Sequence, residues 1–543
     1  MNKALPRWAV CAFFAVFLAL GLLTAADYGP SWDEQTEMDI LRMNLWEYAR
    51  VLGLDESRFE TLAARQGPLS IETLRPISQS IEQDHGTAAF YPFGWVVLDL
   101  SLTGAQQSAL WHMACWGVFT LGGFALYATL RQMGLSRGWA LLGPVCLLLT
   151  PPFFAHGHFN NKDIALFSLS LCGLWQSLAL ARRPGFARGV CFALCGALAA
   201  NTKVAGLALW GLCALYVLIR LLMERRMTPR VWGVAGVTVL SFAALYALLT
   251  PALWADPAAF FGYLLSNAVA FQRWNGYVLF RGSVFDTTSQ PLPWYYLPYM
   301  MLATTPLWIL MLCAAGTALA LWTGVRRLRA RDASGLVPLL TVLLWLLPLA
   351  FAVLTRTRVY NGWRHFYFLY GPMLALAVLG ARELWTHMRG ARRRVFAALL
   401  GLCMAFTGVG IATQHPYQYA YYQPLVQLRG MDYNELDYWN VSARDALVRL
   451  AGAYEGVLTV EPADLWSEYA LQRALASLPD ELAGRFVCLP EGSGARFVLS
   501  NPTYACFSGF SPDADMAECV TLSAYGHPIM ILYERTAKEA DRP

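Results

Sequence analysis

The stretch Arg7-Trp-Ala-Val-Cys-Ala-Phe-Phe-Ala-Val-Phe-Leu-Ala-Leu-Gly-Leu-Leu-Thr-Ala-Ala-Asp27-Tyr-Gly-Pro-Ser-Trp-Asp-Glu34 decides how the chain is read. Residues 8–26 carry no charge, Lys3 and Arg7 precede them, and Asp27, Asp33 and Glu34 follow. A helix that crosses the hydrocarbon core of a bilayer needs about 20 mostly apolar residues. Backbone groups left unpaired in lipid are too costly for any open structure. A secretory signal has a shorter apolar core, of roughly 7–15 residues, so this run reads as a retained membrane anchor.

Ten further runs of the same kind follow, at 107–130, 138–154, 164–181, 188–201, 204–222, 231–254, 297–322, 336–354, 366–385 and 395–413. The composition agrees. The 543 residues are 57% hydrophobic and 14% charged, against roughly 25% charged in ordinary soluble domains. Mean hydropathy is +0.40. These values exclude a disordered chain and a string of soluble domains. The net charge of +5 is scattered between apolar runs and forms no nucleic-acid patch. The expected fold is an all-α polytopic membrane protein of about 11 spans.

Lysine and arginine near span ends set orientation. With the N-terminus cytoplasmic, the inside connections hold Arg131 and Arg137, then Arg182, Arg183 and Arg188, then Arg225, Arg226 and Arg230. Arg326, Arg327, Arg329 and Arg331 follow, and finally Arg382, Arg389, Arg392, Arg393 and Arg394. The opposite side is acidic: residues 27–87 carry 12 acidic and 5 basic residues, and 414–543 carry 17 and 9. The chain therefore divides into a membrane module, 1–413, with outside loops 27–106, 155–163, 255–296 and 355–365, and an outside domain, 414–543.

Residues 88–102 are aromatic and amphipathic and suit a helix lying in the membrane interface. The aromatic loop 255–296 suits a mobile lid. The last 130 residues read as a small α/β unit. Helices are expected at Ala443–Ala453 and Asp464–Ser477, strands at Gly456–Glu461 and Arg496–Ser500, and a hairpin over Glu518–Glu534 turning at Tyr525-Gly-His-Pro528. Such a unit suits acceptor binding. Cys488, Cys506 and Cys519 lie there, as one disulfide and a thiol or as three thiols.

Four polar segments on the outer side carry the chemistry. Ser31-Trp-Asp-Glu34 places two carboxylates beside the membrane, fit for a general base. The same residues also fit a helix start, with Ser31 and Glu34 as a capping box. His156-Gly-His-Phe-Asn-Asn-Lys-Asp163 packs two His, two Asn, a Lys and an Asp into one short connection, more than a turn needs. Asn201-Thr-Lys203 puts a lysine in a hairpin at membrane level, where it snorkels or finds a partner. Only 4 of the 41 basic residues are lysine, at 3, 162, 203 and 538, so two of the four lie at this face. Arg356-Thr-Arg-Val-Tyr-Asn-Gly-Trp-Arg-His-Phe366 gathers Arg356, Arg358, Arg364 and His365 on the side otherwise poor in positive charge. It fits an anionic ligand or the acidic outside segments. Carboxylate, cations and aromatics together suit group transfer from a lipid phosphate.

These segments resemble the GT-C membrane glycosyltransferases, and within them the family 39 type of protein mannosyltransferases and lipid A aminoarabinose transferases, closest to uncharacterised bacterial members. The likeness rests on Trp32-Asp-Glu34, His158-Phe-Asn-Asn-Lys-Asp163, Pro293-Trp-Tyr-Tyr-Leu-Pro298 with Thr305-Pro306, Tyr360-Asn-Gly-Trp-Arg-His-Phe366, His415-Pro-Tyr-Gln-Tyr-Ala-Tyr-Tyr422 and Asp437-Tyr-Trp439. It covers nearly the whole chain in order. The tail does not match the domain that protein mannosyltransferases insert between spans.

The resemblance implies an inverting transfer of a sugar from a polyprenyl-phosphate donor to an acceptor hydroxyl at the outer face of the bacterial cytoplasmic (inner) membrane. It implies Asp33 as base, Glu34 as its support and Asp163 as a second acidic position. Charge and topology add Lys162, Lys203, Arg364 and His365 as donor-phosphate ligands. His158, Asn161, Trp274 and Tyr360 are the expected substrate-lining residues. No metal and no other cofactor is expected, and the acceptor is a protein, a lipid or a glycan. The competing reading is a surface-polysaccharide ligase or polymerase using diphosphate-linked oligosaccharide, which has no need of the Asp33-Glu34 pair so near the first span.

Overall fold

A computed structural model describes residues 5–66, 70, 72–269, 276–359, 361–428, 430 and 434–536. Helices occupy all eleven predicted ranges. Among the described residues eight are long and apolar enough to cross a membrane, and a bent pair, Arg137–Leu148 with Pro151–Phe159, makes up to nine. Two of the eleven predicted ranges fall outside that length and composition. Phe186–Thr202 is short at 17 residues, and Tyr370–His387 ends in the polar run Arg382-Glu383. Proline explains the breaks. Pro151-Pro152 splits one predicted run by 74°, and Pro306 divides 297–322 into Tyr296–Thr304 and Leu307–Arg329. A proline lacks the amide that would continue the ladder.

Asn161–Arg182 is the most enclosed span and packs against Gly104–Gln132, Phe186–Thr202 and Val204–Met223. Small residues allow the closest helix approach in lipid. A Cβ on Gly316 would lie 1.9 Å from the Leu376 carbonyl oxygen, and one on Gly380 would lie 2.3 Å from that of Leu312. The two helices therefore meet backbone to backbone.

Beyond the first span, Glu34–Val51 forms a helix that lies against the short helix Gly94–Leu98. The stretch expected to lie in the interface is two short helical pieces, Ala88–Phe93 and Gly94–Leu98. Phe90, Val96 and Val97 are buried inside the protein and Trp95 is exposed. Its apolar face is satisfied by the protein because Phe90 packs on Trp111 at 5.1 Å.

The loop 255–296 holds a helix, Pro257–Val269, and a hairpin of β1 (Tyr277–Phe280) and β2 (Ser283–Asp286). Arg281 and Gly282 take positive φ at its turn, the geometry that matches strand twist in a two-residue hairpin. The C-terminal unit is a five-stranded mixed sheet. Its strands are β3 (Leu458–Pro462), β4 (Phe486–Cys488), β5 (Phe497–Ser500), β6 (Met516–Ala524) and β7 (His527–Arg535), in the order β4-β3-β5-β7-β6. β3 runs parallel to β4 and β5, and β7 runs antiparallel to β5 and β6. The helices Ala443–Ala453 and Leu465–Ala476 and the hairpin turn at Tyr525-Gly526 lie where the sequence places them. β4 and the helix Pro502–Ser508 are additions. Cys488, Cys506 and Cys519 are thiols.

Glu435 joins three separate segments. It accepts hydrogen bonds from the Leu279 amide of β1 at 3.0 Å and from Asn361 Nδ2 at 2.6 Å. Its own carbonyl accepts one from the Tyr422 hydroxyl at 2.9 Å. Burial pushes the Glu435 carboxyl up to about 8, and the two donors oppose only part of that rise. Burial likewise raises Asp437 to about 6. A carboxyl raised on folding contributes stability that is complete below its unfolded pKa and is lost as pH rises through its folded value. Between about pH 7 and 9, where Asp437 is already ionised, the wild-type unfolding midpoint is expected to fall while that of Glu435→Gln stays nearly flat. Parallel pH slopes for the two proteins would refute the assignment.

Candidate active site

The turn after the first span is fixed by backbone pairing: the Trp32 amide donates to the Trp439 carbonyl at 3.0 Å. The helix that follows begins at Glu34, with Asp33 as its N-cap residue. The capping box expected from Ser31 is not formed as such. The Ser31 hydroxyl bonds the Phe159 carbonyl, while its amide donates weakly to Glu34 Oε2 at 3.4 Å.

Neighbours on a helix point about 100° apart, and the two carboxylates separate accordingly. Asp33 turns outward. Arg364 Nη1 donates to its Oδ2 at 2.9 Å, and the Asp33 side chain keeps 38% exposure against 2% for Asp163 and 1% for Glu34. The Arg364 guanidinium lies over the Trp439 ring at 4.3 Å. Glu34 turns inward, to Ser108 Oγ at 2.7 Å and His112 Nε2 at 2.8 Å. Burial would raise its carboxyl, but His112, then Arg473 and Ser108, hold it below its ordinary value.

The connection at 156–163 supplies the next part. Asn160 caps the helix Asn161–Arg182: its Oδ1 accepts from the Asp163 amide at 3.3 Å, and its Nδ2 donates to Asp163 Oδ2 at 3.0 Å. The other oxygen of Asp163 forms an ion pair with Lys203. Lys162 Nζ donates to Glu37 Oε1 at 3.2 Å, and Asn161 Nδ2 donates to Glu37 Oε2 at 3.2 Å. His365 stands among Lys203, Asp163, Arg364 and Lys162, and enclosure followed by the adjacent Lys203 charge holds its ring well below the ordinary histidine value.

The structure thus brings Asp33, Asp163, Lys162, Lys203, Arg364, His365 and Asn161 to one face. His158 lies elsewhere. It is fully buried, stacks on Tyr28 at 4.3 Å, and bonds Thr24 Oγ1 at 3.1 Å. Trp274 and Tyr360 are outside the described residues. Sequence reasoning missed Glu37, Ser108 and His112. A histidine inside an apolar run, as His112 is within 107–130, was the available signal. Glu37 offered one too, being four residues beyond Asp33 on the same helix face. Among the described residues no three His, Cys, Asp or Glu side chains gather as metal ligands.

No described protein family and no curated protein matches the sequence. Solved structures of membrane glycosyltransferases are similar at low identity. ArnT from Cupriavidus metallidurans bound to undecaprenyl phosphate gives a TM-score of 0.46 at 14% identity over 99% of each chain. The archaeal oligosaccharyltransferase AglB from Archaeoglobus fulgidus, with an inhibitory peptide and a dolichol-phosphate, gives 0.47 at 11% over 99% of this chain and 75% of that one. The arabinofuranosyltransferase AftD from Mycobacteria gives 0.43 at 16% over 99% and 40%.

Removing one partner of a buried ion pair costs about 3–5 kcal/mol, because it strands the other charge. Lys203→Met is therefore expected to lower the unfolding midpoint in detergent markedly, and adding Asp163→Asn is expected to recover much of the loss. Additive losses in this double-mutant cycle would show the two residues to be independent.

Proposed function

We propose that this protein is an inverting glycosyltransferase that moves a sugar from a polyprenyl-phosphate carrier to an acceptor hydroxyl at the outer face of a bacterial cytoplasmic membrane. The observation that carries the reading is Asp33: an accessible carboxylate held by Arg364, whose chain neighbour His365 stands among Lys162, Lys203 and Asp163. The motifs quoted above support it independently.

In a single displacement the acceptor oxygen bonds to the anomeric carbon as the bond from that carbon to the phosphate oxygen breaks. The electron pair stays on the phosphate, and the acceptor proton passes to Asp33. The leaving polyprenyl monophosphate gains a negative charge. Fixed cations at that position stabilise charge as it develops, which is the role given to Lys162, Lys203 and Arg364. A neutral His365 offers a hydrogen bond there. Asp163 holds Lys203 in place.

The lipid chain needs a path to this face. A small surface groove lies between the start of Tyr296–Thr304 and the end of Leu336–Thr355. Pro291, Leu292, Trp294 and Val353 line it, and Arg356 and Arg358 stand at its rim. Neither arginine makes an ion pair among the described residues. Apolar walls under unpaired cations suit a prenyl chain and its phosphate. The C-terminal unit reaches the surroundings of Asp33 through Trp439 on Arg364, Tyr469 on Trp32 and Arg473 on Gln35.

The test is transfer in liposomes from a panel of radiolabelled polyprenyl-phosphate sugars, with membrane extract as acceptor. Asp33→Asn is expected to lose about 10²–10⁴-fold, the range for a general base, in a protein that remains folded and inserted. Transfer kept by that variant moves the base to another carboxylate. Activity confined to diphosphate-linked oligosaccharides makes the protein a ligase or polymerase.

A further inference from the structure

The chemistry proposed for Asp33 leaves its neighbour Glu34 unused, although Glu34 is one of the most completely enclosed carboxylates in the structure. It is 1% exposed and His112 is 0% exposed. Nothing in bulk water reaches the pair, so its protons are set by its own contacts.

Those contacts count the protons. His112 Nδ1 lies 2.9 Å from the carbonyl oxygen of Ala25, at the end of the first span. A carbonyl oxygen only accepts, so Nδ1 carries a hydrogen. A neutral imidazole has one N–H, and Nε2 would then present a lone pair to Glu34 Oε2 at 2.8 Å. Two acceptors do not bond at that distance, so a second proton lies between them. Glu34 also receives the Ser108 hydroxyl at 2.7 Å and the Ser31 amide at 3.4 Å. Arg473, on the facing C-terminal helix, adds positive charge. These donors favour the carboxylate, which leaves the proton on the ring. The facing titratable groups are Glu37 on the helix of Glu34, Cys115 one turn along from His112, and His158.

We infer that His112 is an imidazolium paired with the Glu34 carboxylate, and that this pair is a positioning device for Asp33 rather than a second base. It ties three elements together: the end of the first span through Ala25, the helix Gly104–Gln132 through Ser108 and His112, and the start of Glu34–Val51. That start carries Asp33, whose direction toward Arg364 depends on it. The role given to Asp33 rests on the transferase reading, whereas the protonation of His112 does not.

The first experiment reads the ring directly. Nitrogen NMR of the ¹⁵N-histidine-labelled full chain in lipid is expected to show a doubly protonated imidazole assigned to His112. In Glu34→Gln that signal is expected to become singly protonated, since the glutamine amide then donates to Nε2. An absent signal, or one unchanged in Glu34→Gln, would overturn the pair whatever reaction the protein performs. The second experiment reads transfer. Glu34→Gln, which keeps the shape and a donor–acceptor match, is expected to stay within about 3-fold of wild type, whereas Glu34→Ala is expected to lose about 100-fold in kcat with little change in donor KM, the scale of an ångström-level displacement. Glu34→Gln losing as much as Glu34→Ala, at equal unfolding midpoint, would make Glu34 the base and sink the positioning role.

Discussion

Arg364 is the point on which the polar face of the membrane module depends. Its guanidinium lies on Trp439 and donates to Asp33, a residue 331 positions earlier in the chain. One side chain thus joins the first outside segment, the segment before Tyr370–His387, and the C-terminal domain. A guanidinium suits this task because its flat face stacks on an aromatic ring while its edge donates to a carboxylate. A lysine at 364 would keep the charge and lose the stacking.

The same constraint explains why the acidic and basic residues alternate through the site. Charges near hydrocarbon are tolerated when paired. Asp163 has Lys203, Glu37 has Lys162 and Asn161, and Glu34 has His112. Asp33 differs because its partner is shared with an aromatic ring and its far side is open. Charge balance at the face is kept by the protein itself, so the phosphate of the proposed donor would meet cations already held in place. Preorganised cations need little rearrangement as charge develops, which is where electrostatic stabilisation gains most.

Much of this was legible in the sequence, for physical reasons that differ by element. Spans declare themselves by apolar length, and the C-terminal helices and hairpin by periodicity and turn residues. Tyr525-Gly526 is an example, with both residues at positive φ. The outer face was legible as a collection, because Lys162, Lys203 and the Arg364-His365 pair stand out against a chain poor in lysine and in outside positive charge. Pairings were not. Nothing local tells Glu34 from Asp33, since their roles are fixed by which one meets His112 across 78 positions. The ion pair of Lys162 goes to Glu37, 125 residues away, and not to its neighbour Asp163. The hairpin of β1 and β2 was hidden inside an aromatic loop because its strands are four residues each, too short for an alternation to register.

The contacts of the C-terminal domain change how it has to be studied. Arg444 donates to the carbonyls of Ala26, Asp27 and Tyr28, the Tyr28 hydroxyl donates to Gln418 at 2.9 Å, and Arg473 donates to Gln35 at 3.2 Å. The Tyr469 ring packs at a tilt on Trp32, with centroids 4.3 Å apart, beside the proposed base. The domain therefore closes the carbonyl groups that follow the first span and forms one wall of the site. Deleting it would expose those carbonyls and free Arg364 from Trp439, so lost transfer in a truncated protein would say nothing about acceptor binding.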